Sequence, residues 1–163
     1  AFIIIDVQNI LVETGFETEK ILEKIAYLQD QARKQQIEII YMQHIETPEA
    51  LTSEDWQLSP LLKRQTDEKV FQKRYNSIFK ETGLKEYLDQ QGIEQLVLCG
   101  MQTEYCVDTS VKVGFEYGYK LIIPEGVVTT FDGEDIPAET LNEFYENIWA
   151  ERFADVLDYK SIF

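Results

Sequence analysis

The chain has 163 residues, of which 44% are hydrophobic and 28% charged, a globular mixture long enough to bury one sizeable core. Its formal net charge is −15, from 30 acidic and 15 basic residues; nucleic acid and anionic membranes repel such a surface, and Lys63-Arg64 and Lys73-Arg74 are isolated basic pairs rather than a patch. Apolar runs such as Phe2–Ile5 are far too short to span a bilayer, and the opening residues lack the pattern of a secretion signal.

"AFIIID" reads as a short buried strand ending at Asp6. Thr18 is the expected N-cap of a helix over 19–35, with Ile21, Leu22, Ile25, Leu28 and Ala32 on one face. "IEIIYMQH" is a second buried strand ending at His44. A long loop follows to Pro60, carrying Pro48 and Trp56, and loops of that length are often functional. "KVFQK" is expected as a short strand ending near Lys73, and Leu84, Tyr87 and Leu88 as a short helix stopped by Gly92. "EQLVLCG" is a third strong strand. "TEYCVDTSVKVGFEYG" reads as a helix capped by Thr103 and ended by Gly118, and "YKLIIP" as a fourth strong strand. A final amphipathic helix, "PAETLNEFYENIWAERF", precedes "ADVL".

Strands alternating with helices imply crossover connections. The expected fold is therefore one α/β domain over residues 1–163, a three-layer α/β/α arrangement with a mostly parallel sheet and helices on both faces. Such sheets bind ligands beyond the carboxyl ends of their strands. That rule gathers Asp6, His44, Lys73 and the Gly100–Cys106 turn on one edge.

The two cysteines form no disulfide framework and fit a reducing, cytoplasmic setting. The single histidine, His44, excludes a zinc site built from several histidines. Cys99, among apolar neighbours, reads as a small buried hydrophobe. Cys106, three residues after a Thr103 cap, would sit in the first helical turn, where unpaired N–H groups favour thiolate and can hold an oxyanion; the alternative is a cysteine that merely packs there. Asp6 is a candidate proton acceptor, or else an Asx-type turn ending its strand. Lys73, or Arg74 beside it, is a candidate cation for the thiolate, or else a solvated lysine. His44 is the one residue able to make a Cys–His pair, or else it closes a strand or lines a pocket.

Taken together, "AFIIIDVQN", "DEKVFQKRYNSIFKETGLKEYL", "GIEQLVLCGMQTEYCVDTSVKVGFEYGYKLIIPEGV" and "RFADVL" resemble, in the same order, the characteristic segments of the isochorismatase-like cysteine hydrolases. The resemblance implies an aspartate–lysine–cysteine triad at Asp6, Lys73 and Cys106, a cis peptide at Met101–Gln102, and an oxyanion hole from the Gln102 and Cys106 N–H groups. It also implies a homodimer or homotetramer acting on a small molecule. Position suggests Gln8, Phe16, His44, Trp56 and Tyr105 as pocket-liners, with Phe16 and Trp56 equally able to be core. The aspartate–x–histidine metal motif of the family's nicotinamidases is missing, so no metal and no cofactor are expected. Glu125-Gly126 stands where many relatives have an aspartate. The expected activity is hydrolysis of a small amide or related C–N substrate; the alternatives are vinyl-ether hydrolysis of the isochorismatase type and a non-catalytic binding member of the fold. A nucleotide-binding domain fits less well, because "DVQN" occupies the place of a glycine-rich loop.

Overall fold

The computed structural model describes residues 1–163. Seven strands, β1 (Phe2–Ile5), β2 (Ile39–His44), β3 (Lys69–Lys73), β4 (Gln95–Met101), β5 (Lys120–Pro124), β6 (Val128–Thr129) and β7 (Asp155–Leu157), make one sheet with parallel pairing throughout. Their order is β3-β2-β1-β4-β5-β7, with β6 paired to the end of β4. The helices are α1 (Asn9–Thr14), α2 (Thr18–Lys34), α3 (Leu84–Gln91), α4 (Asp108–Glu116) and α5 (Ala138–Arg152).

Strand alternation divides the core in two. Ile3 and Ile5 of β1 face one side, with Leu84 and Leu88 of α3, Val111 of α4 and Trp149 of α5. Phe2 and Ile4 face the other, against Ile21, Leu22, Ile25, Leu28 and Ala32 of α2. The expected three layers are thus present. Both faces of β1 are dry, which is why it reads as an unbroken apolar run. Each isoleucine so buried contributes about 1.5–3 kcal/mol.

One local expectation fails. Thr18 does not cap α2 but is its first residue; Glu17, at φ 48°, precedes it, and the Thr18 hydroxyl donates to the Val12 carbonyl at 2.8 Å. The expected loop from His44 to Pro60 is present and carries local structure. It holds short 3₁₀ turns at Pro48–Leu51 and Glu54–Trp56, and a third begins at Pro60.

The chain builds β1, β2 and β3 outward, then returns to lay β4 on the opposite side of β1. Such a reversal opens a crevice at the carboxyl ends of the two central strands. Asp6 follows β1 there, and the Gly100–Cys106 segment ends β4. The strands close tightly at this point, because Gly100 pairs with Ile5 and a Cβ on Gly100 would stand 2.1 Å from the Ile5 carbonyl oxygen. With φ at 119°, only glycine fits.

Candidate active site

Asp6 is 1% exposed and adopts φ 51°, the left-handed region that aspartate tolerates better than most residues. Its N–H donates to the Met42 carbonyl, and its own carbonyl accepts from Gln8 N–H. Lys73 ends β3 in register with His44. It is 1% exposed, and a buried lysine persists only when its charge is compensated. Its Nζ lies 2.7 Å from Asp6 Oδ2. The same nitrogen lies 3.1 Å from each of Cys106 Sγ, His44 Nδ1 and the Tyr75 carbonyl oxygen. An ammonium has three hydrogens, so four acceptors compete for them. The Asp6 bond is the shortest and charge-assisted. Asp6 Oδ1 is buried without any partner.

Beyond β4 the Met101–Gln102 peptide bond is cis. A π-helical turn, Thr103–Val107, then runs into α4. Thr103 does not cap it, in contrast to the reading of the sequence. Its fully buried hydroxyl donates instead to Asn142 Oδ1 of α5 at 2.6 Å. Tyr105 and Val107 N–H both return to the Gln102 carbonyl, at 3.2 and 3.1 Å. The Gln102 N–H itself donates to nothing in the chain. The turn is tied from behind. Ser110 Oγ donates to the Cys106 carbonyl at 2.6 Å, and Asp108 Oδ1 accepts from Trp149 Nε1 at 2.9 Å.

The electrostatics reverse one expectation. Burial and, after it, the Asp6 carboxylate push the Cys106 thiol up to about 12, while Lys73 pulls the other way. Burial and Asp6 thus favour the thiol, against the pull toward thiolate expected of a helix start. Burial raises Asp6 above the usual carboxylate range, with Lys73 opposing. His44 is lowered by burial and by the Lys73 charge, so its ring is neutral at neutral pH. Burial alone pushes Cys99 up, in keeping with an inert core thiol.

A cavity of about 180 Å³ opens onto the sulfur. His44, Trp56, Gln102 and Tyr105 line it together with Asp6 and Cys106. Two sequence expectations fall away. Gln8 is fully buried and is not among the residues lining this cavity; its amide donates to the His44 and Trp56 carbonyls and accepts from His44 N–H, pinning the long loop to β2. Phe16 lines a separate groove with Lys20, Lys24 and Glu146. Its backbone is held by Thr129 and Thr130.

Sequence reasoning missed two lining residues, Leu11 and Asn76. Asn76 Oδ1 stands 3.9 Å from Cys106 Sγ. Its place beside Ser77 in the lysine segment was the available signal. Leu11 carried none, because α1 has only six residues and no amphipathic pattern to read. Ligand atoms of Asp6, His44 and Cys106 lie within 4.8 Å of one another. The Lys73 ammonium contacts all three residues, so the cation at their centre is the protein's own. No helix is long and apolar enough to cross a membrane.

Residues 1–160 match the isochorismatase domain model. The chain is 28% identical over 144 residues to streptothricin hydrolase of Streptomyces noursei, covering 85% of this chain and 51% of that protein, so it spans about half of that relative's length. A crystal structure of an isochorismatase from Pseudomonas putida KT2440 superposes with a TM-score of 0.92 at 29% identity, covering 100% of this chain and 89% of that one. A cysteine hydrolase from Pseudomonas syringae pv. phaseolicola shares the fold, with a TM-score of 0.92 at 22% identity over 99% of this chain and 89% of the other. With a parallel sheet, a matching family model along nearly its whole length and these neighbours, the chain belongs to the isochorismatase family of hydrolases.

Proposed function

We infer that this chain is a metal-independent cysteine hydrolase of a small amide or related C–N compound, with Asp6, Lys73 and Cys106 as its catalytic residues. One observation carries the reading: a single buried ammonium bridges the Asp6 carboxylate and the Cys106 sulfur. The second carboxylate oxygen, Oδ1, is left without a partner.

The division of labour follows from that geometry. Lys73 holds Asp6 Oδ2, so Oδ1 is the oxygen free to accept a proton. The thiol gives its proton to Oδ1 as sulfur attacks the carbonyl carbon, so the nucleophile is generated within the step rather than stored. As negative charge reaches sulfur, a Lys73 hydrogen shared among four acceptors shifts toward it. The carbonyl oxygen becomes an oxyanion held by the Gln102 and Cys106 N–H groups. Collapse breaks the C–N bond, and the Oδ1 proton leaves with the amine. The thioester is then cleaved by a water that Asp6 deprotonates, giving a carboxylic acid and restoring the thiol. Streptothricin hydrolase among the relatives supports hydrolysis as the reaction class.

The test is ammonia or amine release from a panel of small amides, with the acyl-enzyme trapped by acid quench and located by mass spectrometry. Asp6→Asn and Cys106→Ala should each abolish turnover, and the trapped mass should sit on Cys106. His44→Ala should leave the chemical step largely intact. Turnover surviving in Asp6→Asn but lost in His44→Ala would replace this triad with a Cys–His pair.

A further inference from the structure

The charges around the cavity say what class of molecule it admits, an argument that rests on the amidase reading above. Among its lining residues Asp6 is the only carboxylate, and none is a lysine or an arginine. The one cation within reach is Lys73, whose side chain is fully buried. Its hydrogens are already outnumbered by acceptors within the protein: Asp6, His44, Tyr75 and Cys106. The next cations along the chain serve elsewhere. Arg74 lines a different groove, with Leu51 and Glu81, and Lys80 sits 3.8 Å over the ring of Tyr75.

What the cavity does offer is neutral. Lys73 can only donate, so His44 Nδ1 must accept and the neutral ring carries its proton on Nε2. Nδ1 makes the ring's only hydrogen bond within the chain, which leaves the Nε2–H donor for a guest. The Asn76 amide supplies a second uncharged polar group near sulfur. Trp56 and Tyr105 add aromatic surface, and Tyr105 is 52% exposed at the opening. A carboxylate in this space would be desolvated beside an Asp6–Lys73 pair whose charges already offset each other, with no further cation to balance it. The formal charge of −15 adds to that repulsion from outside.

We propose that this cavity selects small uncharged amides and rejects carboxylate-bearing molecules, isochorismate, a dicarboxylate, among them. The uncharged polar groups of His44 and Asn76 take the place that an arginine or a free lysine would hold in an anion site.

Paired alkylation of Cys106 tests this without requiring turnover. Iodoacetamide and iodoacetate form the same S–C bond and release iodide, and they differ in one charge. Rates are measured at Cys106 by mass spectrometry, in about 1 M salt so that the long-range field is screened to within about 3 Å. Glutathione gives the intrinsic ratio of the two reagents. The expected result is a neutral-over-anionic preference at Cys106 at least about tenfold above that of glutathione, equivalent to about 1.4 kcal/mol. Leu11→Arg should collapse this preference, and Asn76→Arg is the second variant should the first fail to fold by circular dichroism. A ratio equal to that of glutathione, labelling by neither reagent, or a preference unmoved by both arginines in folded protein would overturn the proposal. A protein that labels selectively yet hydrolyses no amide would refute the amidase reading and leave this one standing.

Discussion

The Ser110 hydroxyl donates to the backbone carbonyl of Cys106 at 2.6 Å. The same oxygen accepts from Ile78 N–H at 3.1 Å, so one buried side chain joins the turn bearing the sulfur to the segment that follows Lys73. Ser110→Ala would leave a buried carbonyl and a buried N–H unsatisfied, at a cost of about 1–3 kcal/mol. Stability in urea should fall by that amount. The kcat for amide hydrolysis should fall by about tenfold or more with KM little changed, since the variant disturbs alignment of sulfur rather than the cavity wall. Ser110→Thr, which keeps the hydroxyl, should recover part of kcat if its methyl group is accommodated.

The titration of Asp6 gives a pH signature. Burial raises it, and Lys73 opposes that rise. Activity should therefore increase with pH along a limb that lies above the ordinary carboxylate range, because Asp6 must be ionised to accept the thiol proton. Lys73→Met removes the opposing influence, so the limb should move to higher pH while kcat drops. A limb that stays in place in Lys73→Met would show that another group limits the rate.

The raised thiol makes a second prediction that separates this site from a stored thiolate. With Cys106 pushed up to about 12, the iodoacetamide rate should still be climbing where a free thiol, with a pKa of about 8.5, has levelled off. Lys73→Met should slow labelling further at any fixed pH, since Lys73 is what pulls the thiol down. A plateau below neutral pH would contradict the electrostatic picture.

Glu68 links acidity to stability. Burial works against its charge, but hydrogen bonds from Arg33, Gln65 N–H and Tyr41 outweigh it, and the carboxyl is held below its usual range. A lowered folded-state value means the stabilisation is complete above the unfolded value and is lost as pH falls through the folded one. Glu68→Gln should therefore lower the melting temperature at neutral pH, and the difference from wild type should vanish in acid. Thermal melts at a series of pH values would show it.

Gly100 and Gly92 make a matched pair. A Cβ at Gly100 collides with backbone of β1, whereas one at Gly92 meets nothing within 4 Å. Both residues have positive φ. Gly100→Ala should cost more than about 4 kcal/mol or prevent folding, because strand separation is needed to relieve the clash. Gly92→Ala should cost about 1 kcal/mol from backbone conformation alone. Denaturant unfolding of the two compares them directly.

The strands, their parallel arrangement and the meeting of Asp6, Lys73, His44 and Cys106 were legible because they rest on apolar runs and on the rule for strand ends. What escaped depends on partners distant in sequence. Thr18 and Thr103 look like caps locally, yet their hydroxyls go to Val12 and Asn142, a tertiary choice that no local pattern encodes. Cys106 sits where a helix start should favour a charge, but the fold sets a carboxylate beside it. Gln8 is a polar residue after a strand, which suggested a pocket; its role as a pin for the His44–Trp56 loop shows only once that loop is folded back.

The saturated ammonium of Lys73 also bears on how a catalytic cycle ends. If the chain is the amidase proposed above, hydrolysis turns a neutral amide into an acid that ionises, in a chamber whose only nearby cation is already engaged. The reaction thus destroys the fit that admitted its guest. Departure becomes downhill the moment the acid loses its proton, and accumulating acid has little hold on the empty chamber. An amidase arranged this way should show little inhibition by its acid product and need no gate to release it.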